Sequence, residues 1–375
     1  MFVKLFVNEL KIYISSYRII LFSLFCIVLI PLASILMLND YKQRMNEFEL
    51  MTSENKELLK PNKLSVIAKG IDGEMYSTNE NPLFFYFMTP DILFIVNIIL
   101  SLLAILFGAL SISEDKNNGI LKLLMSHAIL KYQIIVSKSI AGVISLIYPL
   151  LISFIIAIII FVNFGGIHFD SNDLLKICLI FILFVLYLFI FFNIGLLISS
   201  LFYNSYVNSI YVAFTFWVIF VFFIPNFGLI VIKSIVNIPS VQQVEYEKNR
   251  LAQELAIRER SSINFSTEEI LKRQRELDSM RDNRIDLSID YAKTSIGLLP
   301  SGLLSFSITS LTETGVELFS INWKNWIKGN DLLKPKSLGF TNTIKLALPV
   351  LVLFMIYILI TFIFSFVTFV NIEIF

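Results

Sequence analysis

Residues 177–201 read ICLIFILFVLYLFIFFNIGLLISSL, with no Asp, Glu, Lys, Arg or His anywhere in the run. About twenty apolar residues in one helix cross the hydrocarbon core of a bilayer. This stretch is long enough, and Asn193 is its only amide side chain. Working outward, five more stretches of the same kind appear: Ile19–Leu38, Ile92–Ile112, Ser139–Val162, Val207–Ile232 and Leu346–Val370. None carries a charge in its interior. The expectation is an all-α polytopic membrane protein with six transmembrane helices.

The absence of intramembrane charge bears on function. Ion-driven pumps carry ionisable groups inside the membrane, because something must hold the coupling ion. This chain offers none, so energy for any transport is expected to arrive from outside it. Composition agrees: 56% hydrophobic, 16% charged and a mean hydropathy of +0.77 exclude an ordinary soluble domain and a disordered chain. A net charge of +1 gives no basic surface for nucleic acid. Cys26 and Cys178 both lie in apolar stretches and read as packing thiols rather than a disulfide. The first stretch is too long for a signal-peptide core and reads as a retained helix.

Residues 1–18 place Phe2, Leu5, Phe6, Leu10 and Ile14 at helical spacing, with Lys4, Lys11 and Arg18 between them. That pattern predicts an amphipathic interfacial helix before the first span. Polar insertions follow span one (residues 39–91) and span five (residues 233–343). In the second, Ser240/Gln243 and Ser266/Glu269 have capping-box spacing ahead of charged helical runs, which predicts a helical hairpin outside the membrane. Ile296–Phe319 is apolar but broken by Pro300, Gly302 and Gly315, and reads as a re-entrant or interfacial segment. Trp323 and Trp326 follow it as interface anchors. Lysine and arginine near span ends (Lys4, Lys11, Arg18, Lys116, Lys122, Lys131, Lys138 against Lys42, Arg44, Lys176) favour cytoplasmic N- and C-termini.

Several chemistries are excluded. No Gly-Lys-Ser or Gly-Lys-Thr occurs, so the chain has no P-loop of its own. Only two histidines exist, His127 and His168, with no H-E-x-x-H and no cysteine/histidine cluster of metal spacing. Ser301 lacks any evident base to activate it as a nucleophile. Neutral polar residues inside the spans (Asn97, Ser101, Ser145, Ser153, Asn193, Thr361, Ser365) read as interhelical hydrogen-bonding groups.

The positive signal is the loop Ser113–Lys138. Glu114 and Asp115 precede Gly119, a short helix follows with Leu121, Leu124 and Met125 as its presented apolar face, and Lys138 opens span three. Apolar side chains offered to water on such a helix want a partner surface. The loop reads as a docking helix that transmits motion of a partner into spans two and three.

The chain resembles the ABC-2-type transporter permeases. The resemblance lies in the amphipathic start from Glu9 to Arg18, the six-span layout and the loop carrying Glu114, Gly119, Leu123, Leu124, Ser126 and Lys138. Ile120 and His127 stand where the family often has threonine and proline. The large insertions, with Leu299–Pro300–Ser301 and Leu311–Thr312 before the last span, resemble a bacterial subgroup. The resemblance implies that Glu114, Gly119, Leu121, Leu123, Leu124, Ser126 and Lys138 couple to an ATPase, with Glu9 and Arg18 on the interfacial helix. It implies no catalytic residue and no cofactor on this chain; ATP and Mg would sit on a separate cytoplasmic ATPase subunit. A second permease copy or paralogue, the lipid bilayer and a periplasmic protein are the other partners it suggests, in a bacterial cytoplasmic membrane. Export of a hydrophobic, lipid-like or peptide substrate is the first functional expectation. An ATPase-driven mechanotransmitter without solute transport, and a structural or immunity-type membrane protein, remain the alternatives.

Overall fold

The computed structural model describes residues 2–53, 61–69, 90–126, 130–202, 205–237, 241–260, 267–314 and 340–371. Among these, six helices are long and apolar enough to cross a membrane: Tyr17–Leu50, Ile92–Asn117, Lys131–Asn163, Ser171–Leu201, Tyr206–Val236 and Thr341–Val370. No strand occurs among the described residues, and the protein is an all-α polytopic membrane protein. The helix Phe2–Ile14 precedes the first span and breaks from it at Ser15–Ser16. The chain therefore has a near end, where this helix lies, and a far end.

Span four is the central post, packed against spans two, three and six. Its crossing with span two is glycine on glycine. A Cβ on Gly108 would lie 2.2 Å from the Phe192 carbonyl oxygen, and one on Gly195 would lie 2.1 Å from that of Ile105. Small residues let helices meet backbone to backbone in lipid, where dispersion must replace the hydrophobic effect. Phe192 then fills the notch left by Gly142 on span three, where a Cβ would fall 2.0 Å from its ring.

Two spans depart from regular α geometry at facing positions. Ile95–Leu100 in span two and Val218–Phe223 in span five are π-helical turns that touch one another. Around them the Tyr187 hydroxyl donates to Asn97 Oδ1 at 2.6 Å, the Asn97 amide donates to Ser305 Oγ at 3.2 Å, and Trp217 Nε1 donates to Ser101 Oγ at 2.8 Å. Single π turns of this kind collect at functional sites.

The chain differs from the sequence expectations in several places. The span-one helix does not stop at Leu38 but runs to Ser53, because residues 39–53 contain no Gly or Pro and carry Asp40–Arg44 and Gln43–Glu47 pairs at i,i+4. Cys178 is exposed on span four while Cys26 is buried, and both thiols are free. The hairpin helices span Val241–Arg260 and Thr267–Ser295. The second thus continues past Arg284. Its last turns lie against the end of span five, where Gly228 meets Ile296 and Arg284 donates to the Asn237 carbonyl at 2.6 Å. Pro300–Leu311 is a helix packed between spans four and six with Ser301, Leu304, Ser305, Ile308 and Leu311 buried. Ser240, Ser266, Gly315, Trp323 and Trp326 lie outside the described residues.

Candidate functional site: a buried charge cluster under the loop of spans two and three

The loop is two short helices joined by a turn. Ser113–Asn117 closes the run of span two, and Ile120–Ser126 follows Gly119. Gly119 sits at φ +74°, a left-handed conformation that glycine adopts without the Cβ clash other residues suffer. The first helix is pinned from span four: Ser199 Oγ accepts the backbone N–H groups of Ile112 and Ser113, both at 2.9 Å. Those amides belong to the helix start, where backbone donors otherwise lack partners.

Lys138 lies two turns into the third-span helix and is only 1% exposed. Its ammonium contacts Glu9 Oε2 at 3.0 Å and Asp115 Oδ2 at 2.5 Å. It also lies 5.8 Å from the centre of the Tyr13 ring. The Tyr13 hydroxyl bonds Ser111 Oγ at 2.7 Å, and its ring meets Phe107 and Phe192 edge-on at 5.0 and 6.5 Å. Burial pushes the Tyr13 hydroxyl pKa far up, so it stays a neutral hydrogen-bonding group. Arg18, at the start of the first span, forms an ion pair with Glu114. Five charged side chains from the amino-terminal helix, span one, the loop and span three thus form a pair and a triad, joined through the chain neighbours Glu114 and Asp115.

A buried lysine loses its hydration, and only close opposite charge in low dielectric offsets that cost. Here two carboxylates from separate elements supply it. Moving any one of these elements alone would strip a charge of its partner. The arrangement therefore ties the amino-terminal helix, the loop and span three to one another.

Of the residues singled out in the sequence, Glu9, Arg18, Glu114 and Lys138 converge in this cluster, and Asp115 joins them. Leu121 requires a correction. It does not present itself to a partner but is fully buried, in an apolar cluster with Leu5, Ile112, Ile134, Ile135, Leu196 and Phe369. Leu124 packs against the same cluster. The face offered outward carries Leu123, 64% exposed, and Ile120, 38% exposed, beside exposed Lys122 and Ser126. The Met125 side chain and His127 lie outside the described residues. Asn97 and Asn193 bond across helices as read from the sequence, the latter to Ser139 Oγ at 2.9 Å. Ser145, Ser153 and Thr361 instead bond carbonyls of their own helices.

A second buried charge site, at the far end, escaped the sequence reading. Lys176 donates to Glu313 Oε1 at 2.6 Å, and both side chains are almost wholly buried. Residues 61–69 are drawn in beside it. Asn62 reaches Glu313 at 3.4 Å, Thr314 donates to the Ala68 carbonyl at 3.0 Å, and Lys69 pairs with Asp40 at 3.1 Å. Leu64, Val66, Ile67 and Ala68 enter the main core. A signal was available: Lys176 directly abuts an uncharged run that extends to Ile232. Its partner is 137 positions away and carries no local pattern.

Among the described residues no group of acidic, histidine and cysteine side chains has the geometry to hold a metal. No curated protein matches the chain. The family model for ABC-2 family transporter proteins matches residues 3–373, which takes in the near-end cluster, the loop and all six spans. The chain belongs to the ABC-2 transporter family and is a membrane-spanning permease subunit of an ABC transporter, the part that pairs with an ABC ATPase rather than the ATPase itself.

Proposed function

We propose that this permease exports a hydrophobic, lipid-like or peptide substrate, driven by a separate cytoplasmic ATPase that seats on the Ile120–Ser126 helix. The near end then faces the cytoplasm and both termini lie there. The observation that supports this most is the division of labour on the loop. Leu121 and Leu124 hold it to the bundle, Ile120 and Leu123 are left outward, and Lys138 ties its root to the amino-terminal helix and span three. Closure of the ATPase would push on the outward face, and the cluster would carry the displacement into spans one to three as a unit. Such a push shifts the conformational equilibrium only insofar as the partner binds the two states differently.

With uncharged spans, the pathway suits an apolar cargo rather than a small ion. Two copies, or a copy and a paralogue, would enclose it, and a bacterial cytoplasmic membrane is the expected site. The test is reconstitution of the permease with its co-purified ATPase in liposomes. ATP-dependent movement of a lipid-like or peptide probe is the expected result. ATP hydrolysis without movement of any probe would instead favour the mechanotransmitter. One feature supports that second reading: the hairpin's long helix lies against span five and leads directly into the Pro300–Leu311 helix. Motion of span five would therefore swing the hairpin.

A further inference from the structure

At the far end, spans one and three separate around a cleft of about 380 Å³ lined by Tyr41, Lys42, Met45, Asn46, Lys63 and the turn Gly165–His168. Its size falls in the range of about 300–1,000 Å³ typical of small-molecule sites. Two lysines bracket the turn that closes span three. Lys42 donates to the Phe164 carbonyl at 2.8 Å, and Lys63 to the His168 carbonyl at 2.9 Å. An ammonium carries three donors, so each lysine keeps at least one for a ligand. Among the described residues no acidic side chain lines the cleft. Asp170 lies 3.5 Å from Lys63 but is 78% exposed and outside the lining.

The depth of the cleft is set by sequence. The apolar run of span one ends at Leu38, one turn before Lys42, and that of span three ends at Val162, just before the Phe164–His168 turn. The cleft therefore opens where both helices leave the hydrocarbon, at the level of lipid headgroups. Beside it Phe164, whose carbonyl receives Lys42, exposes its ring to 71%. Lysines that snorkel to this level meet lipid phosphates.

We propose that this cleft is a phosphate-binding site for the headgroup of a membrane phospholipid, with Lys42 and Lys63 as its two cationic contacts and the acyl chains descending past the exposed Phe164 ring. The ligand chemistry is a phosphate group; the headgroup level of the cleft and the exposed Phe164 ring favour a lipid over free phosphate as its source. Occupied, the site would clamp span one to span three at the far end. Empty, it would leave the two cations facing each other across the turn.

The test is native mass spectrometry of the purified permease titrated with short-chain phosphatidylglycerol, and separately with inorganic phosphate. The Lys42→Gln/Lys63→Gln variant keeps donors for the Phe164 and His168 carbonyls but removes the charge. At about fivefold per lysine, it should bind the lipid about 25-fold more weakly. Lys42→Arg/Lys63→Arg should restore binding, and Lys345→Ala, at the start of span six, should not change it. If inorganic phosphate displaces the lipid with the same lysine dependence, the source is free phosphate. Wild-type affinity in the glutamine pair, or an equal loss in Lys345→Ala, would overturn the site.

Discussion

The two ends of the bundle each bury a lysine, yet they surround it differently. At the near end Lys138 faces two carboxylates, Glu9 and Asp115, drawn from two further elements, and Arg18 pairs with Glu114 beside them. At the far end Lys176 faces one carboxylate, Glu313, which also receives the Asn62 amide. The near cluster lies beneath a loop whose outer face carries exposed apolar side chains. The far pair lies beneath a segment whose apolar side chains are already in the core. The first arrangement suits a joint that receives a load; the second suits a clasp that holds a covering segment down.

The largest effect expected from breaking this comparison is Lys138→Met. It leaves buried Glu9 and partly buried Asp115 without that cation, and removing one partner of a buried pair costs about 3–5 kcal/mol. Little folded, monodisperse protein should survive extraction, as read by size-exclusion chromatography and thermal melting. Adding Glu9→Gln and Asp115→Asn should recover most of it, because the burden is uncompensated charge rather than lost volume. Failure of that rescue would mean the lysine's shape matters more than its charge.

Lys176→Met should cost less, toward the lower end of about 3–5 kcal/mol, because one carboxylate is orphaned and Asn62 still reaches it. Limited proteolysis of residues 61–69 should accelerate in this variant while the near-end loop keeps its wild-type cleavage rate. Equal acceleration at both ends would erase the distinction between clasp and joint.

On the loop itself, two adjacent leucines should behave in opposite ways. Leu124→Asp puts a charge against the cluster around Leu121 and should lower the melting temperature. Leu123→Asp should leave melting unchanged and uncouple ATP hydrolysis from transport. The smallest effect is Gly119→Ala, expected at about 1 kcal/mol from the strain of a left-handed residue. It is read as a small drop in melting temperature with activity retained.

These contrasts also show what was legible from residues alone. The six spans could be read because charge-free runs of that length leave little alternative to a membrane helix. Lys138 stood out as a lone cation at the edge of such a run. The inward turn of Leu121 did not, since five of the seven residues in Ile120–Ser126 are apolar. A helix of two turns with so little polar contrast has no periodicity from which to choose a face. Nor could the Lys176–Glu313 pair be read, because its two halves are joined only by tertiary packing. The extension of the span-one helix to Ser53 was hidden by its change from apolar to polar and charged residues at Asn39, which marks the edge of the lipid but not the end of the helix.

The central claim is that Leu123 faces a cytoplasmic ATPase. Its most direct test places a single cysteine at position 123, in a background with Cys26 and Cys178 replaced by alanine, and a second at Tyr246 on the hairpin, which is 69% exposed. A short bifunctional maleimide is then applied to membranes that also contain the ATPase. The account predicts that Leu123→Cys crosslinks to the ATPase and that Tyr246→Cys does not. A crosslink from position 246, with none from 123, would contradict it.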